Sequence, residues 1–220
     1  MNGLSAIDSR MLSFVRDTIA QGGTHATELN TKFPFRNRFH HCVRVASLAA
    51  EIADLEGADA DIAVVSGVFH DCGKAAGRDH ADVGAEICRR YLIENQLHLR
   101  KIDCIIECVR FHSGSTYFGG CAYPKDLAVL RDADRLDEIG VMGITWTLLA
   151  VGALEPKSYS DALSRLTSHH AVEDGTLVNQ MHTVTGKAMM LERINRERRF
   201  IREFTEELRI GQLDPDKMAI

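Results

Sequence analysis

The sequence predicts an all-α protein, on three observations. Apolar residues recur at helical spacing through most of the 220 residues. The strict alternation that marks strands is nearly absent. Only four prolines occur, at 34, 124, 156 and 215, each where a loop or a helix start is expected. The chain is long enough to bury one sizeable core. It shows no internal repeat, low-complexity tract or long linker, so one domain over 1–220 is expected.

Taken in order, the expected amphipathic segments run over 5–20, 40–56, 59–72, 79–96, 99–112, 125–150, 158–170, 173–182 and 184–210. Asp59 and Asp79 are expected N-caps, because a short carboxylate accepts from the free N–H groups of a first helical turn. Gly57 and Gly211 are expected stops. Residues 113–125 break the pattern, being rich in glycine and aromatics. Two readings stand for them: a cover over a pocket that touches a substrate base, or a plain surface connection.

A hydrophobic content of 45% with 26% charged residues is ordinary for a globular protein. The net charge of −5 argues against non-specific nucleic-acid binding, which needs a basic face. The Arg-rich stretch from Arg193 to Arg202 is interleaved with Glu192, Glu197 and Glu203, which predicts a solvated, salt-bridged helix face. No run approaches the ~18 apolar residues that a membrane span needs. Asp8, Arg10, Arg16 and Asp17 interrupt any apolar signal-like segment. The six cysteines, Cys42, Cys72, Cys88, Cys104, Cys108 and Cys121, form no Cys-x-x-Cys pair. Reduced thiols in a cytoplasmic protein are the expectation. Cys42 and Cys72 adjoin candidate ligands, which raises the question of oxidation. An apolar helix from Ile144 to Leu154 offers a surface for a homodimer.

The chemistry-bearing residues stand out by helical phase. His41 shares a face with Val45, Leu48 and Ile52 and points inward, whereas His40 shares one with Arg44, Ser47 and Glu51 and points to water. The pair His70-Asp71 closes an apolar helix, and Gly73 follows it. Adjacent residues project about 100° apart on a helix, so both reach one ion only near a helix end. Lys74 then stands close enough to meet a phosphate oxygen, or simply answers the helix dipole. Asp134 and Asp137 fall on one stripe with Leu127, Leu130 and Val141, and Asp132 falls off it. Asp134 is therefore the ligand candidate and Asp137 the group that orients a ligating histidine; a buried network with Arg135 or Arg44 is the structural alternative. His112 continues the inward face of Ile102, Ile105 and Val109. His80 opens a helix where Gly84 and Ala85 permit close packing. Either histidine could bind phosphate, move a proton or complete a second metal site. Arg36 and Arg38, just upstream of His41, could add phosphate contacts.

Two imidazoles and two carboxylates suit a divalent cation, with Mn, Mg, Co, Ni, Zn and Fe all admissible. A buried carboxylate also needs a partner of that kind. The ordered elements His41-Cys-Val-Arg44-Val45, Phe69-His70-Asp71-Cys-Gly-Lys74, Asp79-His80-Ala-Asp-Val-Gly84-Ala85, Arg110-Phe-His112-Ser113 and Asp132-Ala-Asp134-Arg135-Leu-Asp137 resemble the HD-domain superfamily of metal-dependent phosphohydrolases. They span about 36–145, the metal-binding core. Residues 150–220 would complete the bundle, and 184–204 resemble the last helix of small bacterial HD hydrolases.

The resemblance implies an all-helical bundle with the metal between core helices, held by His41, His70, Asp71 and Asp134. It implies hydrolysis of a phosphate ester or anhydride, with Asp71, Lys74 and His112 as catalytic groups. The phosphate of a nucleotide or related small molecule would meet Lys74, His80, His112 and Arg38. Lys74 stands where some HD nucleotidases place a glutamate, so their water activation does not carry over. His80 also follows the His-Asp pair more closely than in the two-metal branches. Two other readings remain: a two-iron enzyme that activates dioxygen through His41, His70, Asp71, His80, His112 and Asp134, and a metal- or nucleotide-binding module without catalysis.

Overall fold

The computed structural model describes residues 7–22, 37–95, 101–114, 117, 124–152, 158–170 and 174–210. Among them there is no strand. The helices are α1 (Ser9–Gln21), α2 (Arg38–Glu56), α3 (Ala60–Phe69), α4 (His80–Glu94), α5 (Ile102–Phe111), α6 (Lys125–Asp137), α7 (Val141–Gly152), α8 (Tyr159–His170), α9 (Asp174–Asn179) and α10 (Val184–Ile210). A 3₁₀ stretch, Lys74–Asp79, links α3 to α4. The core is built on α2, which packs along α3 and α6; α5 closes the other side of α3, and α10 lies across α6 and α2.

Local chemistry explains where these helices begin and end. Asn37 opens α2 by accepting from the Phe39 and His40 amides at 2.9 and 3.3 Å. Gly57 ends it at φ 64, a left-handed geometry that glycine adopts without strain. Asp59 caps α3 as expected, accepting from the Asp61 and Ile62 amides. Every residue from Ile62 to Phe69 is buried, so α3 is the central rod of the bundle. Its Gly67 has no room for a side chain: a Cβ there would lie 2.8 Å from Ala46 Cα. That contact lets α2 and α3 cross backbone to backbone, with His41 and His70 near the crossing.

Several expectations need correction. Asp79 makes no capping hydrogen bond. The start of α4 is instead fixed by the turn before it: a Cβ on Gly73 would lie 2.2 Å from His80 O and 2.5 Å from Gly84 N. The expected helix over 125–150 is two helices. The break falls at Gly140, at φ 87, whose amide donates to Glu197 Oε1 at 2.6 Å. Arg193 Nη1 donates to the last carbonyls of the broken helix, Leu136 O at 2.7 Å and Ile139 O at 3.1 Å. Glu197 is thus buried and Arg193 half-buried, rather than both lying on a solvated face. Val141, expected on the inward stripe, lies 59% exposed beyond the break.

Asp132 is the largest correction, being 1% exposed although helical phase placed it off the apolar stripe. Its carboxylate accepts from the His182 and Thr183 amides and from Thr183 Oγ1 at 2.7–2.8 Å, which caps α10. A helix N-terminus carries partial positive charge, so a carboxylate from another element is satisfied there. Gly186 leaves the space, because a Cβ on it would meet Asp132 Oδ2 at 2.2 Å.

Among the described residues no helix is long and apolar enough to cross a membrane. Cys42, Cys72, Cys88, Cys104 and Cys108 are free thiols. The helix expected to offer a dimer surface is α7, along which Val141, Met142 and Leu149 are exposed. Arg36, Cys121, Gly211, residues 153–154 and most of 113–125 lie outside the described residues. Tyr117 is described: its hydroxyl donates to Glu107 Oε2 at 2.8 Å and its ring packs edge-on against Phe111.

Candidate metal centre

The site forms where α2 begins, α3 ends and α6 passes between them. α3 stops at Phe69, so His70 and Asp71 lie in the turn that follows and can face one point from adjacent positions. His41 on α2 and His70 are buried, at 5% and 0% exposed, while His40 is exposed. Phase therefore separated the adjacent histidines correctly. Asp71 is buried; Asp134 is a third exposed and faces the open side.

Each histidine is oriented by its Nδ1. In His70 it meets Gly67 O at 2.8 Å, in His112 Val109 O at 2.7 Å and in His80 Gly77 O at 2.9 Å. A carbonyl oxygen only accepts, so each Nδ1 is the donor and each ring turns its Nε2 toward the site. His41 Nδ1 donates to Asp137 Oδ2 at 2.8 Å. Arg44 clamps that carboxylate from the other side, Nε to Oδ1 at 2.7 Å and Nη2 to Oδ2 at 2.8 Å. Asp137 therefore orients a histidine and also belongs to an arginine network, through Arg44. Arg135 instead bonds Gln180.

The donor atoms converge tightly. His41 Nε2 lies 3.2 Å from His70 Nε2, and Asp134 Oδ1 lies 3.2 and 3.5 Å from the two. Asp71 Oδ2 is 3.8 Å from both nitrogens. With both Nδ1 protons committed, the two Nε2 atoms at 3.2 Å share one positive charge, a proton on His70 in the metal-free protein and a cation in its place when metal binds. Separations of 3.2–3.8 Å between neighbouring donors are compatible with ligand bonds of about 2.0–2.2 Å to a common cation. The donor set therefore fits a divalent metal site.

The other edge of Asp71 is built differently. Oδ1 accepts no hydrogen bond although it is buried. His80 Nε2 and His112 Nε2 face it at 3.8 Å each, and Lys74 Nζ lies 3.1 Å away as an ion pair. Back on the first edge, Arg38 Nη1 donates to Oδ2 at 2.8 Å. Arg38, Lys74 and Asp71 line a narrow cleft with Ile19, Gly22, Cys72 and Ala75. Arg38, His41, His70, Lys74, His80 and His112 thus meet around the Asp71 carboxylate, with Asp134 against two of the imidazoles and Asp137 behind His41. Sequence reasoning missed the orienting carbonyls, which are backbone groups three residues before His70, His80 and His112 and have no side-chain signature.

The electrostatics follow from this packing. Burial opposes ionisation of Asp71, yet His70, His112, Arg38 and Lys74 outweigh it and hold the carboxyl well below its usual range. Asp134 is held low in the same way, burial being overcome by His41 and His70. Burial likewise opposes a charge on His70, but Asp71 and Asp134 prevail and raise it well above 6.5. His80 is lowered by burial, by Lys74 and by His112, which keeps it neutral. The Cys72 thiol is raised by burial and by the nearby Cys42 and Cys88, so it is held in its unreactive form.

An all-helical core that brings His41, His70 and Asp71 within ligand reach of one another, with Asp134 against both imidazoles, defines a candidate divalent-metal site. Residues 38–139 match the HD domain, the stretch that holds every residue of the cluster. The match assigns an HD domain to this stretch of the chain. The fold is shared along nearly the whole chain with an HD superfamily hydrolase from an uncultured Thermotogales bacterium, at 23% identity over 90% of this chain and 91% of that one, with a TM-score of 0.62. Bacillus subtilis YpgQ is similar at 21% identity over 94% and 97%, TM-score 0.63. YpgQ has also been solved in complex with ADP, where 21% identity extends over 89% and 97%, TM-score 0.58. Ribonuclease Y of Helicobacter pylori is 39% identical over 69 residues, 29% of this chain. The matched segment is 13% of that relative's length.

Proposed function

We propose that the protein is a metal-dependent phosphohydrolase acting on a phosphate ester or anhydride, in a nucleotide or related small molecule. The observation that carries this reading is the set of four converging donors, with the Arg38 and Lys74 cations flanking Asp71 in one cleft. His41, His70, Asp71 and Asp134 would hold the cation, and Mn, Mg, Co, Ni, Zn and Fe all suit them. When bound, the cation supplies Lewis acidity toward a phosphoryl oxygen and lowers the pKa of a water.

The chain's own groups do the rest. Asp71 Oδ1 orients the attacking water, whose oxygen forms the new P–O bond as the bond to the leaving group breaks. His80, kept neutral, receives a proton from that water, and the leaving oxygen takes one from solvent. Lys74 and His112 stabilise the charge that develops on the phosphoryl oxygens. Arg38 binds the phosphate at the mouth of the cleft. The ADP complex of YpgQ makes nucleotides the first class to assay.

Phosphate release by metal-stripped protein, with each cation added back singly, tests the reading across nucleotides and phosphate esters. Turnover that needs metal and disappears in Asp71→Ala is the expected result. Silence across the panel with metal demonstrably bound would remove the phosphohydrolase reading.

A second reading rests on the unbonded Asp71 Oδ1 facing His80 and His112. There His80, His112 and Asp71 would hold a second iron, and the pair would supply dioxygen activation. The Lys74 ammonium, 3.1 Å from the same oxygen, counts against a second cation. Two equivalents of bound iron and an optical band in air would favour this reading; one equivalent would not.

A further inference from the structure

The charge around Asp71 sorts phosphate substrates by their own charge. A divalent cation brings +2, which Asp71 and Asp134 cancel. The ligating imidazoles are neutral, and Asp137 is matched by Arg44 across two hydrogen bonds. His80 commits its Nδ1 proton to Gly77 O. What remains is Arg38 on one edge of the Asp71 carboxylate and Lys74 on the other, at 2.8 and 3.1 Å. The loaded cleft therefore carries an excess of about two positive charges.

Arg38 is placed to spend its share on a ligand. It is the first residue of α2, one turn before His41, and its side chain is 16% exposed. Nη1 is held by Asp71, and among the described residues no other partner engages Nε or Nη2. A guanidinium anchored through one nitrogen keeps its remaining N–H groups fixed toward the cleft, the geometry that suits a two-pronged contact with a phosphoryl group.

We infer that the substrate presents a terminal, dianionic phosphoryl group and that Arg38 is the residue that selects it over a phosphodiester. A terminal phosphate carries about −1.5 to −2 at neutral pH, which matches the cleft. A diester carries a single charge, leaves one cation unmatched and has a second ester arm where Arg38 reaches. The relatives called Ribonuclease Y make the diester the natural competitor. This inference rests on the phosphohydrolase reading, and the experiment separates the two.

Manganese-loaded wild-type, Arg38→Gln and Arg38→Lys proteins would be compared on p-nitrophenyl phosphate, bis(p-nitrophenyl) phosphate and a short RNA. Bound manganese and the affinity for inorganic phosphate would be measured on the same samples. The wild type should prefer the monoester. Arg38→Gln should retain its manganese, lose about tenfold or more in phosphate affinity, and lose a similar factor in the ratio of monoester to diester kcat/KM. Arg38→Lys should recover part of both. Preference for either diester by the wild type overturns the monoester assignment while leaving a phosphohydrolase. Unchanged phosphate affinity in Arg38→Gln, with manganese retained, overturns the role given to Arg38. Turnover of none of the three overturns the phosphohydrolase reading and this inference with it.

Discussion

The two edges of the Asp71 carboxylate do different work. Around Oδ2 stand His41, His70 and the Arg38 guanidinium, with Asp134 against both imidazoles and Asp137 and Arg44 fixing His41 from behind. Around Oδ1 stand His80, His112 and Lys74, with no second carboxylate. A cation needs negative or lone-pair donors on several sides, which the first edge provides. The second edge offers two imidazoles and the Lys74 ammonium instead. One carboxylate thus joins a place suited to metal with two cations suited to phosphate, Arg38 on one edge and Lys74 on the other.

The largest effect should come from the first edge. His70→Ala or Asp71→Ala should abolish both tight metal binding and turnover, read by metal content and phosphate release. Full hydrolysis without those side chains would end the comparison. Lys74→Ala should act on the second edge only, slowing turnover by about 10²–10³ while metal content is unchanged. Loss of metal in that variant would mean Lys74 belongs with the ligand edge.

A smaller effect is expected behind His41. Asp137→Asn keeps the shape but removes the charge that Arg44 and His41 share, and should weaken metal binding by about 10–100-fold. Titration calorimetry with manganese measures it, and an unchanged affinity would show that His41 needs no such support.

The smallest effect is a pH dependence with a fixed sign. The folded pKa of His70 is raised above 6.5 by Asp71 and Asp134 acting against burial. Protonated His70 therefore stabilises the metal-free protein fully below 6.5, and that stability is lost as pH rises through the folded value. The metal competes with the same proton, so its affinity should rise over the same window. Melting of metal-free protein and metal affinity, both followed from pH 6 upward, should move in opposite directions.

How far these features could be foreseen depended on their physics. Helical phase separated His41 from His40 because burial on one face of an amphipathic helix is local information. Gly57 and Asp59 were legible for the same reason, since a stop or a cap acts within one turn. Phase failed at Asp132 because that carboxylate is satisfied by α10, about 50 residues later. It failed at Glu197 for a like reason: its partner is the Gly140 amide, freed where α6 ends. The Gly140 break was hidden because the apolar pattern continues through it, and only the packing of Arg193 and Glu197 makes a stop there favourable.

The sequence by itself determined an all-helical protein and singled out His41, His70, Asp71 and Asp134 as the candidate donor set. Residue type, helical period and order in the chain are enough for that. Tertiary structure alone decided that His80 and His112 meet Asp71 on the edge opposite His41, and that Arg38 and Lys74 straddle the carboxylate. It alone revealed that backbone carbonyls aim the rings of His70, His80 and His112. Those relations depend on α2 and α3 touching at Ala46 and Gly67, and on Gly73 closing against α4. Such approaches between distant segments are set by side-chain volume and hydrogen-bond satisfaction across the whole core, which no local pattern encodes.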